Sequence, residues 1–174
     1  MVRTALLIVL LAASPVAGAN RPVETLDLQR YAGTWHEIAR LPMFFQRQCV
    51  DRTTATYTAR QDGSIEVRNA CRTKDGSMIE SVGAARRVDG HPGQLEVRFA
   101  PAWLSWLPYV WADYWVVDLD PEYRWAVVGG PSRKYLWVLS RTPTMDKALL
   151  EQIKAGAKRR GYPVEKLIVA AQPN

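Results

Sequence analysis

The sequence predicts an all-β protein: an eight-stranded antiparallel up-and-down barrel, followed by one C-terminal α-helix and a short final strand. Three observations support this prediction. Runs rich in Val, Ile, Thr, Tyr and Trp recur between residues 34 and 141, with turn signals about every ten residues. The turns between the runs are short, which favours pairing of neighbouring strands. After residue 141 the apolar spacing changes from that of a strand to that of a helix.

Eight runs are predicted to be strands, over residues 34–41, 51–60, 64–72, 79–88, 94–100, 111–119, 124–129 and 135–140. Gly, Pro or Asp occupies the turns, as in Asp62-Gly63 and Asp75-Gly76, because a chain reversal needs unusual dihedral angles. A barrel of eight strands has no exposed edge, and its interior is either filled by side chains or able to hold one small ligand. A ligand, if there is one, is therefore expected inside the barrel.

The helix is predicted between Thr144, as its N-cap, and Gly161, where it stops. Four apolar residues between these two follow helical spacing: Leu149, Leu150, Ile153 and Ala157. Basic residues 158–160 fall in the last turn, where the helix dipole favours positive charge. Residues 167–169 predict the final short strand, and no linker marks a second domain.

Residues 1–19 are predicted to be a cleaved signal peptide, which leaves one domain over residues 20–174. Arg3 precedes the apolar run 5–13, and the small residues Ala17 and Ala19 suit cleavage before Asn20. No Cys follows this run directly, so acylation as a bacterial lipoprotein is not expected. The protein is therefore predicted to be periplasmic or secreted, and association with the outer membrane is left open.

Cys49 and Cys71 are the two cysteines of the chain. In an oxidising compartment a disulfide between them is favoured over two free thiols. A metal site is not expected, because no CxxC pair is present and neither His36 nor His91 has a ligand spacing from a cysteine. No cofactor is predicted.

Charge and motifs exclude several function classes. The net charge is +6, but the basic clusters are short, dispersed and not interleaved with aromatic residues, so nucleic-acid binding is not expected. The sequence has no Ser-His-Asp or Cys-His arrangement and no phosphate-binding loop, so an enzyme is not expected. Glu37 and Asp113 are the one candidate acid pair, and acid–base chemistry would require their carboxyl groups to lie close together.

Alternation of side chains along each run predicts which residues face inward. Leu95, Val97 and Phe99 alternate with the charged Glu96 and Arg98, so the apolar three are predicted inside. The same rule predicts inward positions in the other runs: Ile65 and Val67; Gly83 and Ala85, which would keep one wall hollow; Trp111, Asp113, Trp115 and Val117; Tyr135, Trp137, Leu139 and Arg141; Trp35, Glu37 and Ala39. A buried carboxylate is costly unless it lies near a cation or near the open end of the barrel. Arg40 or Arg87 could pair with such an acid or with the headgroup of a ligand.

Three segments carry a family resemblance: Gly33-Thr34-Trp35 with its Glu-Ile-Ala-Arg continuation, residues 119–128 around Asp120, and residues 135–143. In this order and spacing they resemble the lipocalin signature, and the mature chain resembles the bacterial outer-membrane, apolipoprotein D-like branch. The second segment retains only Asp120 of the Thr-Asp-Tyr turn motif. The resemblance implies that Trp35 closes the barrel floor with Arg141 stacked on it, that Gly33 and Asp120 are structural, and that Trp111 and Trp137 lie in the pocket.

The resemblance implies a small hydrophobic ligand, a fatty acid or a lysophospholipid, held in the barrel for envelope lipid transport, storage or maintenance. The predicted ligand-binding residues are Trp111, Trp137, Tyr135, Phe99, Val97, Leu95, Leu139, Ile65, Val67, Ala85, Ala39, Phe44 and Asp113. Two alternatives remain: an envelope interaction module with a filled barrel, and a lipocalin-like enzyme. The apolar loop 101–110, with Trp103, Trp106 and Tyr109, is expected to pack against residues 42–46 or to line the entrance of the barrel. Otherwise it could contact a membrane surface or support a homodimer.

Overall fold

The computed structural model of the chain describes residues 18–101 and 107–171. Its strands form one closed antiparallel sheet, with one long helix outside it. The helices and strands are α1 Leu28–Tyr31, β1 Gly33–Arg40, β2 Cys49–Ala59, β3 Ile65–Thr73, β4 Met78–Val88, β5 His91–Arg98, β6 Ala112–Leu119, β7 Trp125–Gly129, β8 Trp137–Ser140, α2 Lys147–Arg159 and β9 Ile168–Val169. The predicted signal peptide falls, up to residue 17, outside the described residues.

Strand β1 closes the barrel. Strands β2 to β8 pair in chain order, and β1 pairs with both β2 and β8. Strand β9 adds to the far end of β1, where Val169 faces Ala39. The sheet thus has eight barrel strands and one added strand, as predicted.

Bulges in β1 and β6 change the direction in which side chains point. In β1 the register against β8 shifts at Ile38, because Glu37 pairs with Leu139 and Ala39 pairs with the preceding residue, Val138. A similar shift lies in β6 at Val117. Because a bulge inserts one unpaired residue, the alternation of inward and outward side chains is interrupted there and continues with the opposite phase beyond it.

Helix α2 covers the outer wall of the barrel. Its apolar face packs on the outward-facing Val117, Val127 and Val138, and this outer core is fully buried. The helix begins later than predicted: Asp146, not Thr144, is the N-cap, and its carboxylate accepts a hydrogen bond from the Leu149 backbone N–H at 3.0 Å. Gly161 follows the helix with a φ of +88°, the left-handed conformation that suits glycine at a helix end.

The predicted disulfide between Cys49 and Cys71 is present and joins the start of β2 to β3. Closure of this loop stabilises the fold by about 3 kcal/mol in the chain-entropy description. None of the helices in the described residues is long and apolar enough to span a bilayer.

Candidate ligand-binding site

The floor of the barrel is a stacked indole and guanidinium. Trp35 is fully buried, and the guanidinium carbon of Arg141 lies 3.7 Å from the centre of its ring. Arg141 also donates hydrogen bonds to backbone carbonyls of Thr34, Tyr123, Arg30 and Tyr31. Gly33 has a φ of +94°, and a Cβ atom there would lie 3.4 Å from Arg141. The predicted structural roles of Trp35, Arg141 and Gly33 therefore agree with their contacts.

A layer of three tyrosines lies directly on this floor. The hydroxyl of Tyr114 is 2.7 Å from the hydroxyls of both Tyr31 and Tyr57. Burial raises the pKa of Tyr57 to about 12, and it raises the pKa values of Tyr31 and Tyr114 well above their ordinary value. The three hydroxyls therefore remain protonated at neutral pH and satisfy one another in an otherwise apolar layer. We call Tyr31, Tyr57 and Tyr114 the tyrosine layer.

Exposure of the inward-facing side chains rises from the floor to the open end. Leu95 and Ala85 are 1% exposed, and Ile65, Val67 and Leu139 are also buried. Further along the same faces, Val97 and Trp137 are half-buried. Phe99, just past the end of β5, is 42% exposed. The half of the interior nearer the open end, which we call the cup, is therefore accessible from that end.

Aromatic residues surround the opening of the cup. Phe44 and Phe45 lie on a 3-10 turn after β1 and are 69% and 50% exposed. The Phe45 ring lies 5.9 Å from that of Tyr135 and 6.5 Å from that of Trp137, centre to centre. Tyr135 precedes β8 and is 38% exposed. Phe44 and Tyr135 thus lie at the rim of the cup rather than on its inner wall.

A buried ion pair lies inside the barrel next to this rim. Arg40 Nη1 donates to Glu37 Oε1 at 2.9 Å, and both side chains are almost fully buried. Gln46 donates its amide N–H to the other oxygen of Glu37 and accepts from Trp137 Nε1 at 3.3 Å. The bulge at Ile38 explains this contact, because residues three apart in a regular strand face opposite sides. Arg40 is therefore the cation that compensates Glu37.

Burial raises the pKa of Glu37 above its ordinary value, although Arg40 and Gln46 favour the ionised form. A raised folded-state pKa means that ionised Glu37 opposes folding at neutral pH. This cost starts to fall as the pH drops through the raised pKa and is gone only below the pKa of the unfolded state. We therefore expect the stability of the wild type, relative to Glu37→Gln, to improve as the pH is lowered from 7.5 to 4.5. Urea unfolding of both proteins at each pH measures this difference, and a constant or opposite difference would contradict the raised pKa.

Asp120 holds the turn between β6 and β7. Its carboxylate accepts from the Arg124 backbone N–H at 3.0 Å and from two nitrogens of the Arg124 side chain. These hydrogen bonds lower the pKa of Asp120. Asp120 is buried in this turn, at the floor end of the barrel, in agreement with the structural role predicted for it.

Three predicted ligand-binding residues face away from the interior. Ala39 follows the bulge in β1 and packs in the outer core under α2. Asp113 pairs with Glu96 and is exposed on the outer wall. Trp111 stacks on Arg86, 4.1 Å from guanidinium carbon to ring centre, and lies 5.2 Å from Arg98. Both arginines belong to the outer face, because their neighbours Ala85 and Val97 face inward.

The inward face of β6 carries Tyr114 and Val116, so the predicted inward positions of Trp115 and Val117 are also wrong. Glu37 and Asp113 are separated by the barrel wall, and the acid pair considered from the sequence does not form. Gly83 does not leave a hollow wall either. The Phe99 ring occupies the space beside it, 2.7 Å from where a Cβ atom would lie.

Sequence reasoning predicted Glu37 and Arg40 but missed the other polar residues of the interior. Gln46 and the tyrosine layer were not predicted, although Tyr57 and Tyr114 lie on strands that the sequence identifies. Trp103 and Trp106 of the apolar loop lie outside the described residues, and Tyr109 is almost fully exposed. The described residues contain no group of three or more His, Cys, Asp or Glu side chains placed to hold a metal ion.

Comparison with known proteins agrees with this geometry. The lipocalin-like domain family matches residues 26–172. The chain belongs to the lipocalin family. It is 40% identical over 151 residues to the outer membrane lipoprotein Blc of Citrobacter freundii, covering 87% of this chain and 82% of the relative. It is 40% identical over 148 residues to temperature-induced lipocalin-1 of Arabidopsis thaliana, covering 83% and 78%.

More distant similarities extend to a further sequence and to two solved structures. Apolipoprotein D of Mus musculus is 29% identical over 160 residues, covering 87% of this chain and 79% of the relative. Insecticyanin from the tobacco hornworm Manduca sexta superimposes with a TM-score of 0.69 at 20% identity, covering 91% and 87% of the two chains. The cockroach allergen Per a 4 gives a TM-score of 0.68 at 17% identity, covering 92% and 97%. These two structural similarities support the barrel fold alone.

Proposed function

We propose that this lipocalin binds a single-chain lipid, a fatty acid or a lysophospholipid, with its acyl chain in the cup. The observation that carries the proposal is the rise in exposure of the inward side chains from the floor to the aromatic rim. The apolar walls of the cup become exposed to solvent at Val97 and Trp137. This arrangement suits a ligand with an apolar tail and a polar end. Apolipoprotein D among the relatives supports a lipid as the ligand class.

Affinity is expected to come from burial of the acyl chain. Each methylene removed from water contributes about 0.8 kcal/mol before the cost of ordering the chain. Arg40 is already bonded to Glu37 and to the Cys49 carbonyl, so the cup offers no free cation at that point to a headgroup. The headgroup is therefore expected to remain at the rim, beside Phe44 and Phe45, and affinity is expected to grow with chain length.

Trp137→Ala tests this site. Trp137 lies at the inner edge of the rim, so its removal is expected to weaken lysophospholipid binding about tenfold, because an aromatic contact worth about 1.4 kcal/mol is lost. Trp111→Ala is the matched control, since Trp111 stacks on the outer wall, and its affinity is expected to stay within about twofold of the wild type. Each variant is titrated with lysophospholipids of increasing chain length, and quenching of the remaining tryptophan emission measures its affinity.

Two results would count against the proposal. The first is the absence of saturable binding for every chain length, which would favour the filled-barrel interaction module. The second is an equal loss of affinity in the two variants, which would place the ligand outside the cup.

We further propose a role in envelope lipid transport, storage or maintenance, in the periplasm or outside the cell and in association with the outer membrane. The support is the similarity to relatives named as outer membrane lipoproteins. The exposed Phe44, Phe45 and Tyr109 would suit contact with a membrane surface or with a second copy of the chain. We propose binding without catalysis, because both oxygens of Glu37 are already bonded and Asp113 lies on the outer wall.

A further inference from the structure

A cavity lies at the closed end of the barrel, opposite the cup. It has a volume of about 260 Å³ and lies between α1 and the turn that joins β2 to β3. Its deep wall is buried and mainly apolar, and it is formed by Tyr31, Tyr57, Ile65 and Leu95. Its outer edge is polar and is formed by Gln29, Arg60, Ser64 and Arg87. We call it the basal cavity.

The tyrosine layer separates the basal cavity from the cup. Tyr31 and Tyr57 form part of the basal wall, and their hydroxyls hydrogen-bond to Tyr114 across the interior. Trp35 packs against Tyr31, with ring centres 5.0 Å apart, and is fully buried. A ligand in one compartment is therefore not expected to displace a ligand in the other.

The edge of the basal cavity carries positive charge. Two guanidinium groups and no carboxylate belong to its lining. Arg60 is bonded to Glu66, whereas Arg87 forms no ion pair with any of the residues that the structure describes. The carboxylate of Asp62, in the adjacent turn, accepts hydrogen bonds from the backbone and hydroxyl of Ser64. Arg87 is therefore a cation without a compensating acid beside an apolar recess.

Strand register explains why Arg87, and not its neighbour, reaches this cavity. Arg87 pairs with the inward-facing Leu95 on β5, so its side chain starts from the inner face of the barrel. Arg86 pairs with Glu96 and is bonded to it on the outer face. The two adjacent arginines thus carry the same charge and are both exposed, but their side chains start from opposite faces of β4.

We propose that the basal cavity binds a small carboxylate with an apolar body, such as a single-ring or short-chain acid. The planar guanidinium of Arg87 presents paired donors that match a carboxylate, and the recess over Ile65 and Leu95 accepts the apolar part. A volume of about 260 Å³ is below the roughly 300 Å³ at which pockets for drug-sized ligands begin. The ligand is therefore expected to be smaller than the lipid proposed for the cup.

Phenylacetate and its neutral analogue phenylacetamide test the proposal on the full ¹⁵N-labelled protein. Phenylacetate is expected to shift the backbone amide signals of Leu28, Ala59 and Ser64 in a saturable way, also when the cup is filled with lysophospholipid. Arg87→Gln is expected to weaken binding about fivefold, as is exchange of the acid for the amide, because a partly exposed charge-assisted contact is lost. Arg86→Gln is the matched control and is expected to change the affinity by less than about twofold.

Three outcomes would overturn the proposal for the basal cavity. Shifts confined to Phe44 and Tyr135 at the rim would place the acid in the cup. Equal weakening by Arg86→Gln and Arg87→Gln would indicate general attraction by positive charge. The absence of saturable shifts would exclude the site. Failure of lysophospholipid binding would contradict the proposed function without affecting the basal cavity, because phenylacetate is measured separately.

Discussion

Arg141→Leu is expected to lower the free energy of unfolding by about 4 kcal/mol, since it removes a cation–π contact and several charged hydrogen bonds at once. Arg141 stacks on Trp35 and bonds to carbonyls of four residues, which tie α1, β1 and the turn before β7 to the floor. Ligand affinity per folded molecule should change much less, because the tyrosine layer lies between Arg141 and the cup. Thermal melting and a lysophospholipid titration of the same sample measure the two effects.

Arg141→Lys separates charge from geometry. A lysine ammonium has the same charge but lacks the planar guanidinium group that bonds several carbonyls at once. Arg141→Lys is therefore expected to recover less than half of the stability that Arg141→Leu loses. Full stability of Arg141→Lys would show that charge alone matters at the floor. A larger effect on ligand affinity than on melting would contradict the assignment of Arg141 to the floor.

Arg40→Met is expected to destabilise the protein by about 4 kcal/mol at neutral pH, because it leaves the Glu37 carboxylate buried without its cation. Methionine preserves most of the volume of the arginine stem, so lost packing contributes little. Without Arg40 the pKa of Glu37 should rise further, since the cation favours the ionised form. The loss of stability should therefore shrink as the pH is lowered, and urea unfolding at pH 7.5 and 5 measures both effects.

The double replacement Glu37→Leu with Arg40→Met is the control for this experiment. Replacement of a whole buried ion pair by apolar residues of similar volume is often neutral or stabilising. The double variant is therefore expected to recover most of the stability that Arg40→Met loses. A double variant as unstable as the single one would show that packing, and not the unpaired charge, explains the loss.

The barrel could be predicted because its turns and its strand spacing are local properties of the sequence. Inward positions could be predicted only where one face of a strand is polar. In β5 the charged Glu96 and Arg98 alternate with Leu95 and Val97, and the predicted inward positions of Leu95 and Val97 are confirmed. A strand covered on both faces gives no such alternation.

Strand β6 shows this limit, because α2 covers its outer side. Its inward Tyr114 and Val116 and its outward Trp115 and Val117 are all large and apolar, so either set could have been assigned to the interior. The bulge in β1 sets a second limit. A single extra residue at Ile38 brings Glu37 and Arg40 to the same side, and no residue type in this segment marks the bulge.

The position of β1 as the closing strand has a kinetic consequence. It pairs with β8 and β9, and the floor contact between Thr34 and Arg141 joins residues 107 positions apart. Contacts between such distant segments cost loop-closure entropy before they provide stability, so folding is expected to be slow, on the order of milliseconds to seconds. Until the C-terminal strands are available, one edge of β1 remains unpaired and open to association with other chains.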